Sequence, residues 1–192
     1  HPPECTMPAT VDVMKRLLDA TNGLTRIVTL DPSQDAGFQT TRWLTDQKIV
    51  VSAGHCDASL DTLRGAIDHG LRMYTHLGNG CPVQMHRHDN IVQRVLSLAD
   101  RLWVMFIADG AHVPFFALAN YLKLVGLDHA VVVTDAIAAA GMGQGKLTIG
   151  GVEAIVGEDL VPRAAHNLQQ FAGSGLTMPR AAENLRHHLG LS

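Results

Sequence analysis

The chain has 192 residues, a formal net charge of -3 and three cysteines. That length allows one domain with a buried core, and the near-balanced charge excludes a broad nucleic-acid surface. No apolar run reaches the roughly 18 residues of a membrane-spanning helix, and an odd number of cysteines with no CxxC pair argues for a reducing, cytoplasmic compartment over a disulfide framework.

Val11, Val13, Met14, Leu17 and Leu18 recur at helical spacing, with Thr10 as N-cap and Asn22-Gly23 as stop. Arg26–Leu30 reads as a short strand ended by Asp31-Pro32, and Gly37–Gln47 as a helix with Phe38, Trp43 and Leu44 inward. Ile49–Gly54 is an apolar run that stops at His55, and Asp57–His69 is helical, capped by Asp57 or Ser59 and stopped by Gly70. Leu71–Thr75 is the next strand and stops at His76; a long loop, Gly78–His88, follows it. Asn90–Leu102 reads as an amphipathic helix, Leu102–Ala108 as a strand leading into Asp109 and His112, Pro114–Leu124 as a helix, and Ala130–Thr134 as a strand before Asp135. Glycines then crowd 138–157, where Lys146–Ile149 and Val152–Val156 form a hairpin around Gly150-Gly151, taken as an insertion. Met178–Leu189 is a final helix with Pro179 in its first turn.

Strand and helix alternate in units of about 25 to 30 residues, the βα rhythm. Four strands end on residues that bind metals or move protons, as at the carboxyl ends of barrel strands. The expected fold is α/β: a (β/α)8 TIM-type barrel of the metal-dependent hydrolase kind, one catalytic domain over 1–192. A complete barrel usually needs roughly 200 to 250 residues or more, and the chain opens on His1-Pro2-Pro3, so it is expected to be an incomplete piece.

Among 11 histidines, His86, His88, His187 and His188 lie in polar or helical stretches and are read as solvated. His55 and His76 end neighbouring strands and could share one divalent ion; each alone could equally be a hydrogen-bonded strand-end histidine. Asp135 closes an apolar strand, where a carboxylate is costly unless paired or put to use. It reads as a general acid–base or as a helix N-cap. Asp109-Gly110-Ala111-His112 either projects His112 at a substrate or merely turns the chain. Asn79-Gly80 and Arg87 offer backbone N–H groups and a guanidinium to a phosphate, as many Gly/Asn loops do without binding one. Cys56 and Cys81 read as small fillers.

Val51–His55, Thr75-His76-Leu77 with Asn79, Ile107–Gly110 with His112, Val133–Ala136, and Ala172-Gly173-Ser174 with Leu176–Met178 resemble, in order and approximate spacing, the N-acetylglucosamine-6-phosphate deacetylases of the amidohydrolase superfamily. The resemblance implies that His55 and His76 bind a divalent metal, zinc above others. It makes Asp135 the general base and then acid, and has His1 polarise the acetamide carbonyl. His112 and Ala172 would contact the sugar. Asn79, Gly80 and Arg87 would hold the phosphate, Arg87 reaching across a homodimer. The partners implied are a phosphosugar and a second copy, with neither nucleic acid nor membrane. The alternatives are an amidohydrolase acting on another N-acyl or cyclic amide, and a non-catalytic relative that binds ligand.

The chain also departs from the family. The Glu ligand would precede His1, and no early His-x-His pair is present. Gly78 replaces a bulky residue, Gly80-Cys81 replaces Ala-Met, and Glu158–Phe171 is longer than the usual tight turn.

Overall fold

A computed structural model describes residues 6–191. The chain forms α1 (Val11–Ala20), β1 (Ile27–Leu30), α2 (Gln39–Asp46), β2 (Val50–Ala53), α3 (Leu60–Asp68), β3 (Leu71–Tyr74), α4 (Ile91–Leu96), β4 (Trp103–Ile107), α5 (Phe115–Val125), β5 (Ala130–Val133), β6 (Gly145–Ile149), β7 (Val152–Val156), β8 (Pro162–Ala164), β9 (Asn167–Phe171) and α6 (Met178–Leu189). The first sheet has five strands in the order β1-β2-β3-β4-β5, and its first four run parallel. This is an α/β fold in which helices connect parallel neighbours. Two compact units divide the chain: residues up to Met105 with Leu124–Ala130, and Phe106–Lys123 with the residues from Val131 onward.

In the first unit the register runs Ile27 beside Val50, Leu30 beside Ala53, and Ala53 beside Tyr74. Val51, Ala53, Leu71 and Tyr74 are buried, as are Leu63, Ala66 and Ile67 of α3. Such a strand is apolar on both faces because a helix covers it, which is why it reads as a continuous hydrophobic run. Local chemistry sets the helix ends: Thr10 accepts from Val13 N–H, Ser59 from Thr62 N–H and Asn90 from Gln93 N–H. Asp35, itself buried, accepts from the N–H groups of Thr40 and Thr41 and from the Thr41 hydroxyl, and so fixes the start of α2.

Two elements differ from expectation. The helix expected over Asn90–Leu102 ends at Leu96; the chain tightens into a 3-10 turn at Ala99–Arg101, with Ser97 Oγ donating to Arg94 O. Beyond the strands at 145–149 and 152–156, β8 and β9 complete an antiparallel sheet of order β6-β7-β8-β9 in the second unit. Every residue of β9 is exposed, so no inward apolar alternation marks it. Among the described residues no helix is long and apolar enough to cross a membrane.

Leu63 is fully buried on the face of α3 that covers the first unit's strands. Leu63→Ala should lower unfolding stability by about 2–5 kcal/mol, the usual cost of a buried Leu→Ala cavity. Urea denaturation followed by circular dichroism measures it, and a loss under about 1 kcal/mol would show that the site collapses around the deletion.

Candidate active site

The first unit brings two histidines together. β2 leaves the sheet through Gly54 and His55, and β3 through Thr75 and His76. A Cβ on Gly54 would stand 2.9 Å from Thr75 Cβ and 3.1 Å from Thr29 Cγ2, so only glycine lets the turns approach so closely. Thr75 N–H donates to Ala53 O at 2.8 Å, and Leu77 N–H to Met105 O at 2.9 Å, which pins both sides of His76. Beneath the turns the Thr75 hydroxyl lies 2.9 Å from that of Thr29 and 2.7 Å from that of Ser52, a polar chain across three strands.

His55 and His76 both have positive φ, 53° and 31°, an uncommon conformation for residues other than glycine. Their Nε2 atoms face each other at 2.9 Å, with the rings nearly perpendicular. Two neutral imidazoles can share that distance only if one Nε2 carries the proton, whereas a cation would accept both lone pairs. The His76 ring is buried, and among the described residues its Nδ1 has no hydrogen-bond partner. Two converging nitrogen donors fit part of a zinc-type coordination sphere. Among the described residues no group of three or more His, Cys, Asp or Glu gathers as a complete one.

The loop after His76 returns to the same place. Asn79 N–H donates to His76 O at 3.0 Å. Gly80, at φ 62°, lies so close that a Cβ there would meet His55 Nδ1 at 2.7 Å. Arg87 is exposed on the same loop, and among the described residues no hydrogen bond ties it to Asn79 or Gly80. Burial pushes the Cys56 thiol up to about 11 and raises that of Cys81 as well, so both stay protonated near neutrality.

The second unit holds the other candidates. Asp109 accepts from the N–H groups of Ala111 and His112 at 2.9 Å each, and from His112 Nδ1 at 2.6 Å. Burial would raise this carboxyl, but the His112 ring and the two backbone donors outweigh it, and its pKa lies below the usual carboxylate value. An ionised carboxylate only accepts, so Nδ1 of His112 carries the proton and Nε2 remains for another partner. The turn that could have been incidental therefore orients its histidine, whose ring also leans on Phe171, with centroids 4.6 Å apart. Asn184 Nδ2 donates to Ala108 O at 2.8 Å and ties α6 to the same strand end.

Asp135 is exposed, with φ 49°. It caps no helix, because Ala136 instead bridges Ser174 and Ile137 N–H donates to Ser174 O. Ala172, next to that bridge, donates its N–H to Pro162 O at 2.9 Å. His1 lies outside the described residues. Reading the residues alone missed the hydroxyl chain and the partners of Arg94, which draws the turn after His55 and the end of the long loop onto one guanidinium. No local signal distinguishes Thr29, Ser52 or Arg94 from ordinary polar residues.

Parallel strands joined by helices, with histidines at two of their carboxyl ends, define an α/β protein of the βα-repeat class. Over its whole length the chain is similar to the hexosamine-6-phosphate deacetylases, as its motifs indicated. It is 31% identical over 192 residues to an N-acetylgalactosamine-6-phosphate deacetylase of Escherichia coli, covering 100% of this chain and 50% of that protein. With an N-acetylglucosamine-6-phosphate deacetylase of Bacillus subtilis it shares 30% identity, covering 100% of this chain and 48% of the relative. A mutant deacetylase of Mycobacterium smegmatis, solved in complex with N-acetyl-D-glucosamine-6-phosphate, superposes with a TM-score of 0.88 at 30% identity, covering 100% of this chain and 50% of that one. The chain thus spans about half the length of these relatives. No family model matches it.

The lowered Asp109 pKa carries a pH signature. The unfolded carboxyl titrates near ~4 and the folded one lower. Its stabilisation is therefore complete above the unfolded value and is lost as pH falls through the folded one. Asp109→Asn should lower the urea midpoint near neutral pH, and the gap to the unsubstituted chain should narrow as pH falls below the unfolded carboxyl's value. A gap independent of pH would show that Asp109 is not held ionised.

Proposed function

We propose that this chain carries the hydrolytic centre of an N-acetylglucosamine-6-phosphate deacetylase, which cleaves the acetamide to give glucosamine 6-phosphate and acetate. Its parallel βα units would be part of a (β/α)8 barrel. The observation that carries the reading is the meeting of His55 Nε2 and His76 Nε2 at the ends of adjacent parallel strands, in a chain similar throughout to such deacetylases.

His55 and His76 would hold a divalent cation, with zinc the one best suited to a pair of imidazoles. When bound, such a cation supplies Lewis acidity and lowers the pKa of water. Asp135 takes the proton of the attacking water as oxygen adds to the acetyl carbon, then delivers it to the sugar nitrogen as the C–N bond breaks. His1 polarises the acetamide carbonyl. His112, its Nδ1–H engaged by Asp109, presents Nε2 to a sugar hydroxyl beside Ala172. Asn79, Gly80 and Arg87 hold the phosphate. The exposure of Arg87 suits a guanidinium that serves the other protomer of a cytoplasmic homodimer.

The relatives include deacetylases of both the gluco and galacto phosphosugars, so the test compares the two epimers. We expect acetate release with a higher kcat/KM for the gluco sugar, abolished by chelation and restored by zinc. A preference for the galacto sugar would move the substrate to that epimer, and no acetate from either would leave a binding protein.

His55→Ala and His76→Ala should each sharply reduce bound zinc, because each removes one of the few protein donors. Metal analysis after dialysis checks this, and normal content in both variants would disprove the ligand assignment.

Asp135→Asn keeps the size of the side chain but cannot take a proton. We expect kcat to drop by at least ~10²-fold with zinc still bound and the circular dichroism spectrum unchanged. Loss of zinc would make Asp135 a ligand, and full activity would place the base elsewhere.

A further inference from the structure

We propose that Thr75 is a positioning residue: its hydroxyl locks the register between β2 and β3 that sets His76 level with His55, and so fixes the separation of the two ring nitrogens offered to the cation. The proposal rests on the reading of His55 and His76 as metal ligands.

The ladder between β2 and β3 does not keep one register. Val51 pairs with Leu71, 20 residues on, but Ser52 pairs with Met73 and Ala53 with Tyr74, 21 residues on. Arg72 is the extra residue that slips the register. His55 and His76 are also 21 residues apart. In the register before the slip His55 would stand level with Thr75; only after it does His55 meet His76. Arg72 is held at the slip, where Nη1 donates to Leu71 O at 2.9 Å and to Ile67 O of α3 at 2.8 Å.

Only two strand pairs hold the new register before the chain leaves the sheet, and Thr75 extends it. Its N–H donates to Ala53 O at 2.8 Å. Its hydroxyl lies 2.7 Å from that of Ser52 and 2.9 Å from that of Thr29. Ser52 Oγ stands 3.4 Å from the same Ala53 O, so the backbone and hydroxyl of Thr75 close a ring of hydrogen bonds on the end of β2. Ser52 is fully buried, and its hydroxyl depends on these partners. Thr29 meets Thr75 beside the space that a side chain on Gly54 would fill. The lock therefore sits where the two strands hand over to the two histidines.

The test measures the zinc affinity of the full chain by competition with a chromophoric chelator. Thr75→Val keeps the shape of the side chain and removes the hydroxyl, whereas Thr75→Ser keeps the hydroxyl. We expect Thr75→Val to weaken zinc binding by at least ~10-fold, the scale of groups that orient metal ligands, and Thr75→Ser to stay within ~3-fold of the starting affinity. Ser52→Ala removes the other half of the bond and should weaken binding in the same direction; it decides the matter if Thr75→Val fails to fold. A lower urea midpoint with unchanged zinc affinity would make the hydroxyl merely structural and overturn the proposal. Equal losses in Thr75→Val and Thr75→Ser would overturn it too. His55→Ala and His76→Ala are the controls. If both bind zinc as tightly as the unsubstituted chain, the ligand reading falls and this proposal with it. If they lose zinc while Thr75→Val and Ser52→Ala do not, only the register lock falls.

Discussion

Parallel strands that are apolar on both faces must end abruptly to carry polar side chains, and this chain meets that demand with left-handed backbone. His55, His76 and Asp135 each follow a strand of the first sheet, and each has positive φ without being glycine. The conformation costs of the order of 1 kcal/mol or more per residue and persists only where its surroundings over-determine it. For His76 those surroundings are visible: bonds from Thr75 N–H and Leu77 N–H to neighbouring strands, and the hydroxyl chain below. Such backbone turns a side chain out of the alternation of the strand and aims it beyond the sheet edge. Each of the three outliers follows its strand at the same interval and falls on a residue type that can bind a cation or carry a proton.

What the amino-acid order revealed follows from burial. Val50–Ala53, Leu71–Tyr74 and Trp103–Ile107 were readable because most of their positions are buried and apolar, with Ser52 and Arg72 the polar exceptions. β9 was unreadable because none of Asn167–Phe171 is buried. α4 was read too long because Leu98 and Leu102 continue the apolar rhythm after the backbone has changed to a 3-10 turn; periodicity reports which side faces inward, not which hydrogen bonds form. Among the candidate residues, His55 and His76 could be paired because both close short strands. The bonds of Arg94 to Asp57 and Ala58, and of Thr75 to Ser52, could not be seen, because those partners lie 20 or more residues away.

The candidate residues of the two units are placed by different means. In the first unit the histidines are placed by backbone: strand register, a glycine contact and two main-chain hydrogen bonds position them. In the second, His112 is placed by a half-buried carboxylate. Backbone placement is insensitive to pH, whereas a carboxylate fixes its imidazole only while ionised. The lowered pKa of Asp109 extends that range downward.

The contact between Gly80 and His55 limits how this loop can be exchanged. Relatives of the resembled family usually carry Ala where this chain has Gly80, and here the added methyl would press on the imidazole. A loop grafted from such a relative would bring its own side chain into space the ring already fills. Residues 55 and 80 therefore share one space, and a side chain at 80 has to be met by a shift of the imidazole.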